Sequence, residues 1–262
     1  MKYKTEAHTD IGTKKSTNQD ALLIKQASNK NIGHICMACL CDGMGGLSCG
    51  EVASATFIER MDRWFKEELP AALAKDDVTV QLDTSSTNDE DYFRQIELQW
   101  NEIVQRTNVE LAQYGLKKGI KLGTTTTAIL IIEKKYIAMN VGDSRIYKIH
   151  SGELTQITHD QSYIQREIDA GRMTIDEAKN CDKKSVLLQC IGASEIVKPD
   201  FHHGQVQEGD YVLLCSDGLW RKLSSDEIAL NIKTKDGIKK LIEIVKHRGE
   251  TDNISGVAVG IK

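Results

Sequence analysis

Residues 36–50 read CMACLCDGMGGLSCG and hold four of the chain's seven cysteines around an acidic, glycine-rich turn. The apolar residues 32–41 predict a central β-strand that runs directly into this turn. Three interpretations are open for the stretch: a cysteine metal site, a phosphate-binding loop, or a core strand that presents Asp42 at its end. The rest of the sequence discriminates among them.

The composition of the 262-residue chain is that of a soluble globular protein, with 40% hydrophobic and 27% charged residues. Its formal net charge of −4 argues against a nucleic-acid-binding protein, which usually presents a basic face to phosphates. The sequence has no run of about 18 apolar residues, and its N-terminus lacks an apolar signal core. We therefore expect a cytoplasmic protein without membrane contact, whose odd number of cysteines stay reduced.

Hydrophobic periodicity predicts one α/β domain over residues 1–262, because we find no internal repeat, low-complexity tract or linker composition. Strands are predicted at 21–26, 32–41, 124–133, 135–143, 145–152, 153–158, 210–218 and 253–261. Helices are predicted at 48–69 with Pro70 as the stop, from 93 to about Gly115, within 161–180, after Ser224, and at 237–247. The polar residues 75–89 are expected to form a surface connection.

Acidic residues stand where predicted strands begin or end. The five acids are Asp20, Asp42, Asp143, Asp217 and Asp252. Asp42, Asp143 and Asp217 stand beside glycine after a predicted strand, and Asp20 and Asp252 stand before one. An aspartate beside glycine after a strand is most often a turn residue, but five acids at strand ends in one chain are harder to explain that way. If they converge, their mutual repulsion demands cations, and hard oxygen ligands select Mg²⁺ or Mn²⁺ over Zn²⁺. Carboxylates that hold two such ions about 4 Å apart are the usual apparatus for phosphoester hydrolysis.

Seven motifs follow one another along nearly the whole chain, from about residue 8 to residue 260. They are TDIGTKKSTNQDA, CDGMGG, GTTTTAIL, NVGDSRIY, LTQITHDQS, CSDGLW and TDNIS. In this order they resemble the metal-dependent serine/threonine protein phosphatases of type 2C, and the DGMGG form is similar to the compact bacterial branch. The resemblance implies a four-layer α-β-β-α sandwich, in which two mainly antiparallel sheets are flanked by helices and a metal centre lies at one edge.

The resemblance also implies a set of ligands for two Mg²⁺ or Mn²⁺ ions. Asp20 and Asp42 would be central ligands, with Asp42 bridging both ions and the carbonyl group of Gly43 binding one of them. Asp217 and Asp252 would complete the other shell. At a third, weaker metal site, Asp217 would be joined by Asp143.

The expected reaction is hydrolysis of phosphoserine or phosphothreonine in proteins. Two divalent cations lower the pKa of a shared water, so that a bridging hydroxide can attack phosphorus in line. Lys15, at a position where the family often has arginine, would bind the substrate phosphate, although lysine lacks the bidentate fork of arginine. Residues 160–195 correspond to a flap beside the cleft. We expect a monomer whose substrates include a partner serine/threonine kinase and the proteins it phosphorylates.

Two other functions have to be weighed against this one. The same fold could serve as a catalytically silent scaffold, but that would be favoured by the loss of a core acid, and all five are present. Cys215 to Arg221 matches the Cys-x₅-Arg signature of cysteine-dependent phosphatases. Against a thiolate nucleophile, Asp217 inside that motif would raise the pKa of the thiol and repel a phosphate. Cys215 is therefore expected to end a buried strand.

The opening stretch is best explained by oxygen chemistry. A phosphate loop would need Gly-Lys-Ser/Thr after the glycines, and none follows. A zinc site would need a second Cys or His pair, whereas the remaining cysteines are scattered singly. Strand alternation puts Cys36 on the opposite face from Cys39 and Cys41, which indicates core residues. A proposed general-acid histidine of animal relatives is replaced by Met44, and we assign His159 no role.

Overall fold

Two antiparallel sheets form the centre of the computed structural model, which describes residues 1–30, 32–44, 49–74 and 88–262. The first sheet has the order β1 (Tyr3–Asp10), β10 (Ile254–Ile261), β9 (Tyr211–Cys215), β6 (Arg145–His150) and β7 (Glu153–Gln156). The second has the order β2 (Asp20–Asn29), β3 (Gly33–Asp42), β4 (Thr126–Ile132), β5 (Lys135–Val141) and β8 (Asp200–Gln205). All pairings within both sheets are antiparallel.

Helices cover the outer faces of the two sheets, and two short helices lie in the chain between β7 and β8. They are α1 (Gly50–Arg63), which continues as a π-helical turn (Trp64–Glu68) into α2 (Leu69–Ala74), then α3 (Asn88–Lys118), α4 (Tyr163–Asp169), α5 (Ile175–Lys179), α6 (Asp217–Trp220), α7 (Ser225–Asn231) and α8 (Gly237–His247). The buried side chains of α1, the π-helical turn, α2 and α3 pack on the second sheet, and those of α6, α7 and α8 pack on the first. A third cluster fills the space between the sheets. The four-layer sandwich predicted from the sequence is confirmed.

Strand β3 shows how the alternation of side chains builds this sandwich. Cys39 and Cys41 belong to the cluster beneath α1 and α3, whereas Cys36 and Leu40 face the other sheet. All four side chains are fully buried. Since all seven cysteines lie within the described residues and are free, the cysteines of this strand act as small core residues, as predicted.

The predicted helix stop at Pro70 is wrong, because the helix continues to Ala74. A proline normally ends a helix because it lacks an N–H group and its ring clashes with the carbonyl group four residues earlier. Here a π-helical turn precedes it, and Pro70 lies in the first turn of α2, where a proline is tolerated. The predicted surface connection at 75–89 falls largely on residues 75–87, which lie outside the described residues.

Other local predictions can be compared directly. The second long helix ends at Lys118 and not at Gly115. Helix α8 has the predicted bounds, and the helical pattern at 161–180 corresponds to the two short helices α4 and α5. Strands β1 and β8 were not predicted, because both are edge strands of polar, half-exposed sequence. Within the described ranges, none of the helices combines the length and hydropathy that a bilayer crossing requires.

Candidate metal centre

Asp20 and Asp42 face each other at one end of the second sheet. They are the last partners in the antiparallel register of β2 and β3. Side chains directly opposite in such a ladder have Cβ atoms about 4.5–5.5 Å apart. Both carboxylate oxygens of Asp20 are buried, and no residue that the structure describes donates a hydrogen bond to them. Two neighbouring negative carboxylates that lack hydrogen-bond donors raise the free energy of the folded state. A cation between them would lower it again.

The other three acids lie close to the ends of strands of the first sheet. Asp143 lies between β5 and β6, Asp217 directly follows β9 and Ser216, and Asp252 precedes β10. Burial raises the pKa of Asp42 well above its ordinary value, and the negative charges of the other four acids raise it further. This coupling indicates that all five sequence-predicted acids surround one space at the edge where the two sheets meet.

Burial dominates the electrostatics of these acids. It raises the pKa of Asp20 to about 7, to which the charge of Asp217 contributes. The hydroxyl groups of Ser255 and Ser216 offset part of this shift, although neither forms a hydrogen bond of ordinary geometry with the Asp20 oxygens. Burial and the charge of Asp217 likewise raise the pKa of Asp143 to about 7, while Arg221 opposes the shift.

The acids stand farther apart than the ligands around a bound metal ion would. Among the described residues, no three His, Cys, Asp or Glu side chains stand close enough together to hold an ion. Carboxylates repel one another at short range, so they can surround a common space without closing on it. The donor set nevertheless fits Mg²⁺ or Mn²⁺, because it consists of hard oxygens and because Asp20 Oδ1, Asp20 Oδ2 and Asp217 Oδ1 are buried without a donor from the described chain.

The backbone at Gly43 is packed too tightly for any side chain. A Cβ atom there would lie 2.5 Å from the carbonyl oxygen of Gly50 and 2.6 Å from that of Gln19. The N–H group of Gly43 donates to the same Gln19 oxygen at 3.0 Å. These contacts fix the chain directly after Asp42. The following residues 45–48 lie outside the described residues.

Lys15 lies beside the acids, as its predicted role requires. Its Nζ is 2.8 Å from Asp252 Oδ1. Partial burial lowers the pKa of Lys15, but the hydrogen bond and charge of Asp252, with the charges of Asp42 and Asp217, raise it overall. The side chain therefore stays protonated next to the carboxylates.

Asn253 is a site residue that the sequence analysis missed. Its Nδ2 donates to the carbonyl oxygens of Ile11 at 2.9 Å and Thr17 at 3.2 Å, and its Oδ1 accepts from the N–H of Gln19 at 2.9 Å. These bonds tie the loop that contains Lys15 to the start of β10. The TDNIS motif contained the only signal for this role, but only its aspartate, Asp252, was predicted to lie in the site.

Arg221 was also missed as a member of the site. Its Nη2 forms ion pairs with Asp217 Oδ2 at 2.7 Å and Asp143 Oδ2 at 3.4 Å. In the sequence, this arginine had been noted only as the last residue of the Cys-x₅-Arg motif that begins at Cys215. Its spacing of four residues from Asp217, which is a contact distance on a helix, was the available signal.

The alternative nucleophile is not supported by its environment. Cys215 is the last residue of β9 and is fully buried, as predicted. Burial raises the pKa of its thiol far above the ordinary value, which is the opposite of an activated thiolate. His159, to which no role was assigned, is exposed and pairs through Nε2 with Asp169 Oδ2 at 2.7 Å.

The chain is similar to known proteins over nearly its whole length. Residues 11–255 match the family model described as protein phosphatase 2C. A putative protein phosphatase 2C-type of Streptococcus pyogenes is 31% identical over 258 residues, covering 96% of this chain and 95% of that protein. Protein phosphatase PhpP of Streptococcus pneumoniae is 30% identical over 260 residues, covering 97% and 95%.

Solved structures agree with these matches. The serine/threonine phosphatase of S. agalactiae superposes with a TM-score of 0.79 at 30% identity and covers 100% of both chains. The catalytic domain of the serine/threonine protein phosphatase PstP, in complex with two manganese ions, superposes with a TM-score of 0.71 at 28% identity and covers 99% of both. With the sandwich and the five acids in place, these matches show that the chain belongs to the protein phosphatase 2C family and is a serine/threonine protein phosphatase.

Proposed function

We propose that this phosphatase hydrolyses phosphoserine and phosphothreonine in proteins with two Mg²⁺ or Mn²⁺ ions held by its cluster of acids. The observation behind this proposal is the set of buried carboxylate oxygens of Asp20 and Asp217 that have no donor from the described chain. The PstP catalytic domain, whose fold is similar to that of this chain, was solved in complex with two manganese ions. When bound, two such ions supply a nucleophile by lowering the pKa of a water molecule, and they stabilise negative charge on the phosphoryl group.

Four of the five acids have a proposed part in holding these two ions. Asp20 and Asp42 come from adjacent strands of one sheet, so both can serve the same ion, and Asp42 would bridge to the second. The tightly packed backbone at Gly43 would contribute its carbonyl oxygen. Asp217 and Asp252 would complete the second set of ligands from the first sheet.

Lys15 is proposed to bind and orient the substrate phosphate. Its ammonium group has three N–H donors, of which one faces Asp252 Oδ1, so the other two could meet a phosphate oxygen. Since its charge is maintained by the surrounding carboxylates, Lys15 can offset negative charge on the equatorial oxygens during phosphoryl transfer. The hydrogen bonds of Asn253 hold the loop in place for this contact.

The substrates are proposed to be phosphorylated proteins, among them a serine/threonine kinase and its targets, as the relatives' designation as protein phosphatases suggests. The enzyme is proposed to be a monomer and to act in the cytoplasm, where its seven free cysteines would stay reduced. Residues 160–195 are proposed to act as a flap. A bridge between Ser162 and Leu187 joins the two ends of this segment, and the Lys184 carbonyl group accepts a hydrogen bond from Arg221, which pairs with the acids.

The test is the activity of Asp42→Asn and Asp217→Asn on an aryl phosphate and a phosphothreonine peptide with Mn²⁺. Both variants should lose at least about a hundredfold in kcat, because even outer partners of metal ligands are worth 10–100-fold. Asp182→Asn, an exposed acid in the same chain, is the matched control and should stay within about twofold. Full activity of Asp42→Asn, or activity of the wild type that survives a chelator, would contradict the proposal.

A further inference from the structure

Arg221 contacts three parts of the molecule through a single nitrogen. Its Nη2 lies 2.7 Å from Asp217 Oδ2, 3.4 Å from Asp143 Oδ2 and 3.3 Å from the carbonyl oxygen of Lys184. The side chain is only 22% exposed. A guanidinium group is positively charged at all physiological pH values. Three oxygens around one partly buried positive group resemble the surroundings of a cation.

We propose that the guanidinium group of Arg221 replaces a third divalent ion at Asp143 and Asp217, so that the enzyme holds two ions and not three. This inference rests on the proposed function, since it assumes that the other acids hold the first two ions. It is an alternative to the sequence-based expectation that Asp143 and Asp217 share a weaker metal site. Arg221 is a positioning residue here, because it acts through the two acids.

The two oxygens of Asp217 are divided between different partners. Oδ2 faces Arg221 at 2.7 Å, whereas Oδ1 is buried and receives no hydrogen bond from the described residues. One oxygen is therefore available to the two-ion centre while the other is already neutralised. A divalent ion between Asp143 and Asp217 would have to displace the guanidinium group or lie beside it, and two positive groups at that distance repel each other strongly.

Neighbouring residues hold Asp143 in place for this pairing. The indole Nε1 of Trp220 donates to the carbonyl oxygen of Asp143 at 3.1 Å. The guanidinium group of Arg145 stacks 3.3 Å from the centre of the Trp220 ring and donates to both carboxylate oxygens of Asp160. Gly142, with φ of +106°, packs against Thr125 where a Cβ atom would clash at 2.6 Å. The backbone of Asp143 is thus fixed on both sides.

The contact with Lys184 extends this arrangement to residues 160–195. Lys184 follows Lys183, whose Nζ lies 4.9 Å from the centre of the Tyr163 ring at the start of α4. The same guanidinium group that pairs the acids therefore also holds the flap segment near them. Removal of Arg221 should loosen the chain around residues 183–186.

The decisive experiment counts Mn²⁺ bound at saturation, by titration followed through the electron paramagnetic resonance signal of free Mn²⁺. The wild type and Asp143→Asn should each bind two ions. Arg221→Gln should bind a third ion, and the added Asp143→Asn substitution should remove it again. Arg221→Lys, which keeps the charge, should bind two ions, as should the control Arg172→Gln, whose arginine pairs with Glu167 on the exposed surface.

The outcomes separate this inference from the proposed function. If the wild type binds three ions and Asp143→Asn loses one, or if Arg221→Gln binds only two, the arginine does not replace an ion. Either result would overturn this inference and leave the proposed function standing. Fewer than two ions in the wild type would contradict the proposed function and this inference together. As a second measurement, trypsin should cleave after Lys183 or Lys184 several times faster in Arg221→Gln than in Arg172→Gln, and equal rates would refute the link to the flap.

Discussion

Replacement of Asp20 by asparagine should stabilise the fold in the absence of divalent ions, even though it removes a proposed metal ligand. Burial raises the pKa of Asp20 from 3.8 to about 7 in the folded protein. The folded state therefore binds more protons than the unfolded state between these values, and stability falls as the pH rises through that window. Well below pH 3.8 both states are protonated, so the ionisation of Asp20 costs nothing there.

The size of this effect follows from the shift. About three pKa units at about 1.36 kcal/mol each give a cost of about 4 kcal/mol at pH 8, and about 2 kcal/mol at pH 5. These are upper limits, because side chains relax and water screens the charge. Asparagine has the shape of the protonated acid without its ionisation, so Asp20→Asn should regain most of the cost. At about 2–4 °C per kcal/mol for a chain of this size, Tm should rise by roughly 5–10 °C at pH 8.

The assay is thermal and urea unfolding of both proteins in excess chelator at pH 5 and pH 8. Asp182→Asn, which removes an exposed acid, is the control and should leave Tm unchanged at both values. Addition of Mn²⁺ should then stabilise the wild type far more than Asp20→Asn. Equal or lower stability of Asp20→Asn at pH 8, or an increase that does not depend on pH, would refute the reasoning.

Three further substitutions test other parts of the site. Gly43→Ala should destabilise the fold by at least about 2 kcal/mol in urea unfolding and weaken Mn²⁺ binding, because its methyl group would clash with two carbonyl oxygens; an unchanged midpoint would contradict this. Lys15→Ala should lower kcat/KM on a phosphopeptide by about 10–100-fold, which corresponds to the loss of a charged hydrogen bond. Lys15→Arg should retain most of the wild-type kcat/KM, and equal losses in the two variants would argue against a phosphate contact. Cys215→Ala should cost about 1 kcal/mol of stability and leave the activity per folded molecule intact and sensitive to chelator, whereas loss of activity would revive the thiolate mechanism.

The acids of the site could be predicted because their positions are local features of the sequence. Each predicted strand that ends in an aspartate beside glycine places a carboxylate at the end of a rigid element, and the order of the motifs supplied the rest. Asp42 illustrates this, since it ends the apolar strand β3 and precedes Gly43. Asp20 begins β2, and the antiparallel register of the two strands places it opposite Asp42. Their high pKa could not be predicted, because it depends on burial against the other sheet and on acids from distant parts of the chain.

The partners of the acids were missed for the same physical reason. Of its three contacts, Arg221 is close in sequence only to Asp217, four residues earlier. Its second acid, Asp143, is 78 residues away, and Lys184 is 37 residues away. The edge strand β8 was missed because DFHHGQ has neither apolar alternation nor β-branched residues, and pairing with β5 alone makes it a strand. Contacts between distant segments override local preference in both cases.

The packing of the core explains how the fold tolerates so many buried carboxylates. Strand β3 is fully buried from Cys36 to Cys41, and β10 is buried along its whole length, so the strand ends that flank the acids are anchored by apolar contacts on both faces. Within the described residues, Lys15 pairs with Asp252, and Arg221 pairs with Asp217 and Asp143. Asp20 and Asp42 have no paired cation from the described chain. The unpaired negative charge therefore belongs to two acids that are proposed to hold the divalent ions, while protein groups compensate the other three.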